Sequence, residues 1–192
     1  MKAWISLLEN NIIFLKGKAK EPPPYYCTTF VDEETFPLVD LLVKMNSKGF
    51  YTTSSQPGMG NNNADHKQRA YVTGFITKDL LKKFKYSLPE DILVQVLTFE
   101  EEYIYNTFSE NSMVVTKLKK EEFTWCGGDT DFELLLETKV KSWMVDNLYF
   151  VSLVDSTWYR SDYLFQFVDK ILSDVSINGE VLNTSSMYLE CN

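Results

Sequence analysis

The chain has 192 residues, of which 44% are hydrophobic and 15% aromatic, enough to bury one sizeable core without a disulfide or metal staple. Its formal net charge of −8 repels phosphate backbones and disfavours general nucleic-acid binding. Three widely spaced cysteines, Cys27, Cys126 and Cys191, form neither a disulfide framework nor a zinc site.

Residues 1–15 read as a helix, or a helix followed by a strand, with Trp4, Leu7, Leu8 and Ile12 on one face. Their apolar stretch is far too short to span a bilayer and lacks the marks of a signal peptide. Glu21-Pro22-Pro23-Pro24 is an extended connector. Asp32 to Lys48 has the clearest helical spacing, with acids at its start, Lys44 and Lys48 at its end, and Gly49 as the C′ residue. Phe50 to Ser54 is a short strand that turns polar. Gln56-Pro57-Gly58 then fits a type II turn, and an Asn/Gly loop runs from Gly60 to His66.

Tyr71 to Thr77 is a strand, followed by a lysine-rich helix from Lys78 to about Tyr86. Ile92 to Phe99 is an apolar, central strand. Ser112–Lys117 and Glu122–Cys126 read as two more strands, and a helix starts at Asp129. Leu148 to Val154 is a strand, Tyr159 to Val175 the last helix, and Asn178 to Asn192 adds an edge strand. Helices and strands interleave, with hairpin-like pairs among them. The fold class expected is α/β (α+β): a single domain over residues 1–192, with a mixed sheet of about five to seven strands flanked by helices.

Two blocks stand out. One runs Met45-Asn46-Ser47-Lys48-Gly49-Phe50-Tyr51-Thr52-Thr53-Ser54-Ser55-Gln56-Pro57-Gly58, the other Gln68-Arg69-Ala70-Tyr71-Val72-Thr73-Gly74-Phe75. Together they resemble a family of uncharacterised actinobacterial and viral proteins sharing LN-x-x-GF, T-x-x-SQPG and QRA-x-V-x-GF. Asp155-Ser156-Thr157-Trp158-Tyr159-Arg160 is similar to that family's Asp-x-x-Trp-Gly-Arg segment, with Tyr159 where the pattern has glycine. The resemblance implies that the SQPG loop is a shared feature and supplies no reaction.

The residues themselves point to the same place. The Thr53-Ser54-Ser55-Gln56 strand end carries donors and acceptors, and ligands gather at the carboxyl ends of strands in open α/β sheets. A hairpin would bring it near His66, Gln68 and Arg69, giving a ligand-binding cluster of Thr53, Ser54, Ser55, Gln56, His66, Gln68 and Arg69. Such a cluster suits a planar or anionic small molecule. The chain has only two arginines against seventeen lysines, the mark of an AT-rich genome such as that of many large DNA viruses. Where arginine is so scarce, a guanidinium fork is expected to be needed as such, and Arg69 is expected to face the Ser54–Gln56 strand end. The plain alternatives stand beside these readings. Strand-end Ser and Thr are ordinary, Gln56 braces a turn, His66 is a solvated loop histidine, and Arg69 neutralises a carboxylate.

Other features have structural readings. Asp129, Asp131 and Glu133 fit an acidic helix start as well as a hard-metal site. Cys126 before Gly127-Gly128 fits a buried thiol. No nucleotide-binding, metalloprotease or nucleophile-elbow motif is present. The function expected is a soluble, intracellular binding module, cytoplasmic or virion-associated if viral, that recognises a small molecule or a protein partner. No cofactor, metal, membrane or nucleic-acid partner is expected. The alternative is a hydrolase or transferase built on Ser54, Ser55, His66 and Arg69.

Overall fold

Apolar spacing of four residues on the first helix, α1 (Lys2–Leu15), makes a stripe of Trp4, Leu8 and Ile12, all at most 4% exposed. This is the one-face pattern that buries a helix against a core. The computed structural model describes residues 2–23, 31–59, 68–97, 102–109, 112–119 and 147–173. The expectations for Cys27, His66, Cys126, the 122–126 strand, the helix from Asp129 with its carboxylates, and the C-terminal edge strand lie outside these residues.

The Asp32–Lys48 helix is divided. Pro37 offers no N–H and cannot sit in the interior of an α-helix, so Glu33–Leu38 forms a 3-10 turn and α2 (Val39–Ser47) follows. Gly49 ends α2 at φ +90°, and its N–H bonds the Asn46 carbonyl at 3.1 Å. Next come β1 (Phe50–Gln56), β2 (Tyr71–Thr77), α3 (Lys78–Ser87), β3 (Ile92–Leu97), β4 (Glu102–Ser109), β5 (Ser112–Lys119), β6 (Leu148–Asp155) and α4 (Tyr163–Ser173). The strand β4 was not expected, and α4 starts four residues later than its apolar pattern suggests. Tyr159 lies at φ +70°, outside the helical region.

The six strands form one sheet in the order β1-β2-β6-β3-β4-β5. The α+β class with helices against a sheet is as expected. Where a mixed sheet was expected, every pairing among the described residues is antiparallel. β6 enters late in the chain and inserts between β2 and β3, so β3 is internal.

One face carries the helices. Phe50, Val72, Ile76, Ile92, Val94, Val151 and Leu153 form its core with Leu42, Met45, Phe84, Leu164 and Val168. The other face is buried too: Tyr51, Thr73, Phe75, Gln95, Phe150 and Ser152 are at most 1% exposed. Burial on both faces explains why β2, β3 and β6 read as near-continuous apolar runs.

At the sheet edge, α1 and α2 meet β1 through a buried amide network. Asn11 Nδ2 donates to Asn46 Oδ1 and to the Thr52 carbonyl, both at 2.9 Å. Asn46 Nδ2 donates to the Leu42 carbonyl and to Thr52 Oγ1, both at 2.8 Å. These bonds cap an edge strand, which would otherwise invite pairing with another chain.

Candidate functional site

The polar end of β1 is shaped by a β-bulge. Pairing with β2 slips between Thr52 and Ser54, so Thr52 faces Gly74 while Ser54 faces Thr73. A bulge sets two residues against one and re-aims side chains. Here Thr53 Oγ1 lies 3.0 Å from Thr73 Oγ1, and Ser54 Oγ lies 3.2 Å from the Tyr71 hydroxyl. Both side chains therefore join the sheet face opposite the helices. Gln56 does otherwise: its amide donates to Glu34 Oε2 at 2.9 Å, tying the strand end to the 3-10 turn.

The expected type II turn at Gln56-Pro57-Gly58 is not formed. It needs a positive φ at glycine, and Gly58 is not among the residues with positive φ. Glycine is required there for space instead. A Cβ would lie 2.5 Å from the Arg160 carbonyl oxygen. Met59 and Gln68 close an isolated antiparallel bridge, with N–H to carbonyl distances of 3.2 and 3.1 Å. The Gln68 side chain donates to the Pro57 carbonyl at 3.0 Å.

Arg69 follows. Ala70 belongs to the helix-side core, so alternation along an extended chain puts Arg69 and Tyr71 on the opposite face. The Arg69 guanidinium lies 4.4 Å from the centre of the Trp158 ring, a cation–π stack. Among the described residues Arg69 makes no ion pair, and its buried Nε has no hydrogen-bond partner. Trp158 is 44% exposed, so the stack sits at the surface.

The loop that presents Trp158 is held by the second arginine, whose role the sequence left open. Arg160 Nε donates to Asp155 Oδ2 at 3.0 Å, and a terminal nitrogen donates to Asp91 Oδ2 at 2.7 Å. Asp155 is fully buried and also accepts the Thr157 N–H at 2.8 Å. Tyr163 donates to the other Asp91 oxygen at 3.2 Å, and its ring lies 3.8 Å under the Arg160 guanidinium. Burial works against the Arg160 charge, but the hydrogen bonds to Asp155 and Asp91 outweigh it and raise its pKa. Burial, and then the Asp91 charge, raise that of Tyr163. Asp155 and the core residues Val151 and Leu153 alternate onto the helix side. The two arginines therefore serve opposite faces, Arg160 as an internal brace and Arg69 at the outer rim.

The structure thus brings Thr53 and Ser54 together with Thr73 and Tyr71, and Arg69 together with Trp158. It sends Gln56 to Glu34 and Gln68 to the loop backbone. Ser55 is half-buried in β1 opposite Val72, and His66 lies outside the described residues. Trp158, Asp155, Asp91 and Tyr163 were not among the predicted site residues. The Asp-x-x-Trp-x-Arg segment was the signal that held three of the linked residues.

A separate groove of about 940 Å³ lies between the end of α1 and the 3-10 turn, walled by Phe14, Val31, Phe36 and Val39 and rimmed by acids. It contains none of the predicted residues. No group of three or more metal-ligating side chains occurs among the described residues. No helix among them is long and apolar enough to cross a membrane.

Comparison with known families matched residues 5–175 to a family described as a domain of unknown function, DUF6919. A comparison with curated proteins returned no match.

Proposed function

The chain belongs to the DUF6919 family, and from that premise we propose that it is a non-catalytic binding module whose recognition surface is the Arg69–Trp158 rim. The observation that carries this reading is the Arg69 guanidinium, stacked on an exposed indole without a carboxylate partner among the described residues. A guanidinium held flat by an aromatic ring keeps its edge donors for a planar anion, a carboxylate or a phosphate. Such a group belongs equally to a small molecule or to an acidic segment of a protein partner. In a chain of net charge −8, one uncompensated arginine gives local attraction without general affinity for nucleic acid. The Met59–Gln68 bridge and the Arg160 brace keep both halves of the stack in place, which lowers the entropic cost of binding.

The pairing of Ser54 favours binding over hydrolysis. Its hydroxyl partner is a phenol, which at neutral pH is not a base able to activate a nucleophile. Three widely spaced cysteines suit a reducing, intracellular compartment.

Titration of tryptophan fluorescence with benzoate and with inorganic phosphate tests the reading. The wild-type chain is expected to show a saturable change with at least one of them. Arg69→Ala is expected to lose it while melting at nearly the wild-type temperature. A large fall in melting temperature in Arg69→Ala, together with no saturable response in the wild type, overturns the proposal and makes Arg69 a stabilising residue only.

A further inference from the structure

Behind the rim, the same sheet face carries a buried row of polar side chains. The register sets Thr73 opposite Ser152, and Ser152 opposite Gln95, while the bulge brings Thr53 against Thr73. Four neighbouring strands thus contribute one polar side chain each to a single line. Thr73, Ser152 and Gln95 are at most 1% exposed, and Thr53 is 7% exposed. Apolar rings flank the line. Phe75 and Phe150 pair edge to face with centroids 5.0 Å apart, one alternation along β2 and β6 from Thr73 and Ser152.

The row is satisfied at one end only. Thr53 and Thr73 bond each other. Among the described residues, Ser152 Oγ and both polar atoms of the Gln95 amide are buried and find no hydrogen-bond partner. Nearly all buried side-chain polar atoms find a partner in protein or water, and the interior of a sheet gives no reason for this pair to differ. A strand at the centre of a β-sheet loses nothing by carrying valine at such positions. Glutamine and serine side by side therefore point to a third molecule that both can reach.

We propose that this row is the polar floor of an internal site for a small, neutral, planar molecule with a donor and an acceptor side by side. A primary carboxamide or the edge of a nucleobase has that chemistry. The Gln95 amide offers one acceptor and one donor group in a plane, which matches such an edge in two parallel hydrogen bonds. The Ser152 hydroxyl adds either role. No charged residue stands in the row, and burying an unpaired ion there would be costly, so the molecule is neutral. The Phe75–Phe150 pair supplies the apolar contact that a flat ring needs. The site shares no residue with the Arg69–Trp158 rim, so it stands or falls separately.

Saturation-transfer NMR on the full chain reads this directly, with nicotinamide and benzamide as probes and N,N-dimethylbenzamide as the control lacking the donor. The wild type is expected to give transfer from both carboxamides and at least threefold less from the control. Gln95→Leu is expected to reduce the carboxamide signals to background, and Arg69→Ala to leave them unchanged. Ser152→Ala, a smaller change, is expected to weaken them and guards against a Gln95→Leu chain that fails to fold. No transfer from either carboxamide in the wild type means the row holds internal water alone and overturns the proposal. Equal transfer in folded Gln95→Leu and wild type also overturns it.

Discussion

Gly74 meets a steric limit on top of its positive φ, whereas Gly49 meets a conformational limit alone. A Cβ at Gly74 would overlap the Tyr51 carbonyl oxygen and crowd Thr52 Cα at 2.9 Å. These are backbone atoms of the paired strand and cannot rotate away. Gly74→Ala must therefore push β1 from β2 and is expected to cost about 3 kcal/mol, the range of overpacking in a rigid interior. Gly49 has open space around it but sits at φ +90°, so Gly49→Ala meets only the left-handed backbone penalty of about 1–2 kcal/mol. Urea denaturation of the two variants gives the ranking. Equal costs, or a milder Gly74→Ala, would mean that the strands part more easily than their contact distance indicates. The same residue scale shows why arginine was half legible. Scarcity singled out Arg69 and Arg160 alike, but only the fold shows that one is neutralised by Asp155 and Asp91 while the other faces Trp158.

At the scale of elements, the Asp155–Arg160–Asp91 brace joins the ends of β6 and β3 to the start of α4. Asp155 is fully buried and Arg160 is 29% exposed. Asp155→Asn removes one charge and leaves the guanidinium with a weaker partner, at a cost of about 3 kcal/mol. Asp91 is 39% exposed, and Asp91→Asn is expected to cost about 1 kcal/mol. Thermal melts of both variants at neutral pH test the order. Alkaline pH tests Tyr163. Its folded pKa is raised by burial and by Asp91, so at high pH the unfolded chain gives up this proton first. Its contribution is intact below about pH 10 and is lost as pH climbs from there through the folded value. Tyr163→Phe is expected to flatten that part of the stability curve, and an unchanged alkaline slope would exclude the phenol as its source.

The elements also show what was readable in advance. β2 and α3 were placed almost to the residue, because an apolar run beside a lysine-rich amphipathic stretch changes period sharply at Thr77. β4 was missed because Glu102–Ser109 (EYIYNTFS) mixes polar residues with its tyrosines and starts on the last of three consecutive glutamates. The expected type II turn at Pro57-Gly58 failed because its glycine answers to the Arg160 carbonyl, a contact a hundred residues away in sequence and invisible to local rules. The Thr53–Ser54 strand end was correctly seen as polar. The bulge that turns both side chains to one face depends on pairing with β2 and could not be read from β1 alone.

The order β1-β2-β6-β3-β4-β5 determines how the whole molecule holds together. β6 pairs along its length with β2 on one side and β3 on the other, yet it is the last described strand in the chain. Until residues 148–155 are present, β2 and β3 have open edges, and Val72, Phe75, Val94 and Val96 lack the neighbours that bury them. Long-range pairing of this kind delays the reward for closing the intervening loops and predicts slow folding. A chain ending at Asn147 is therefore expected to show no cooperative unfolding transition, to bind a hydrophobic dye and to aggregate through its unpaired edges. α4 comes still later and covers the helix-side core through Leu164, Val168 and Leu172, each fully buried, so a chain ending at Ser161 should complete the sheet but leave that core open. Dye binding with a weak, broad transition is expected for it, with full cooperativity restored only when residues through Ser173 are included. A cooperative transition in the chain ending at Asn147 would show that β2 and β3 each form a stable unit without β6, and that the late central strand is an addition to the fold rather than its keystone.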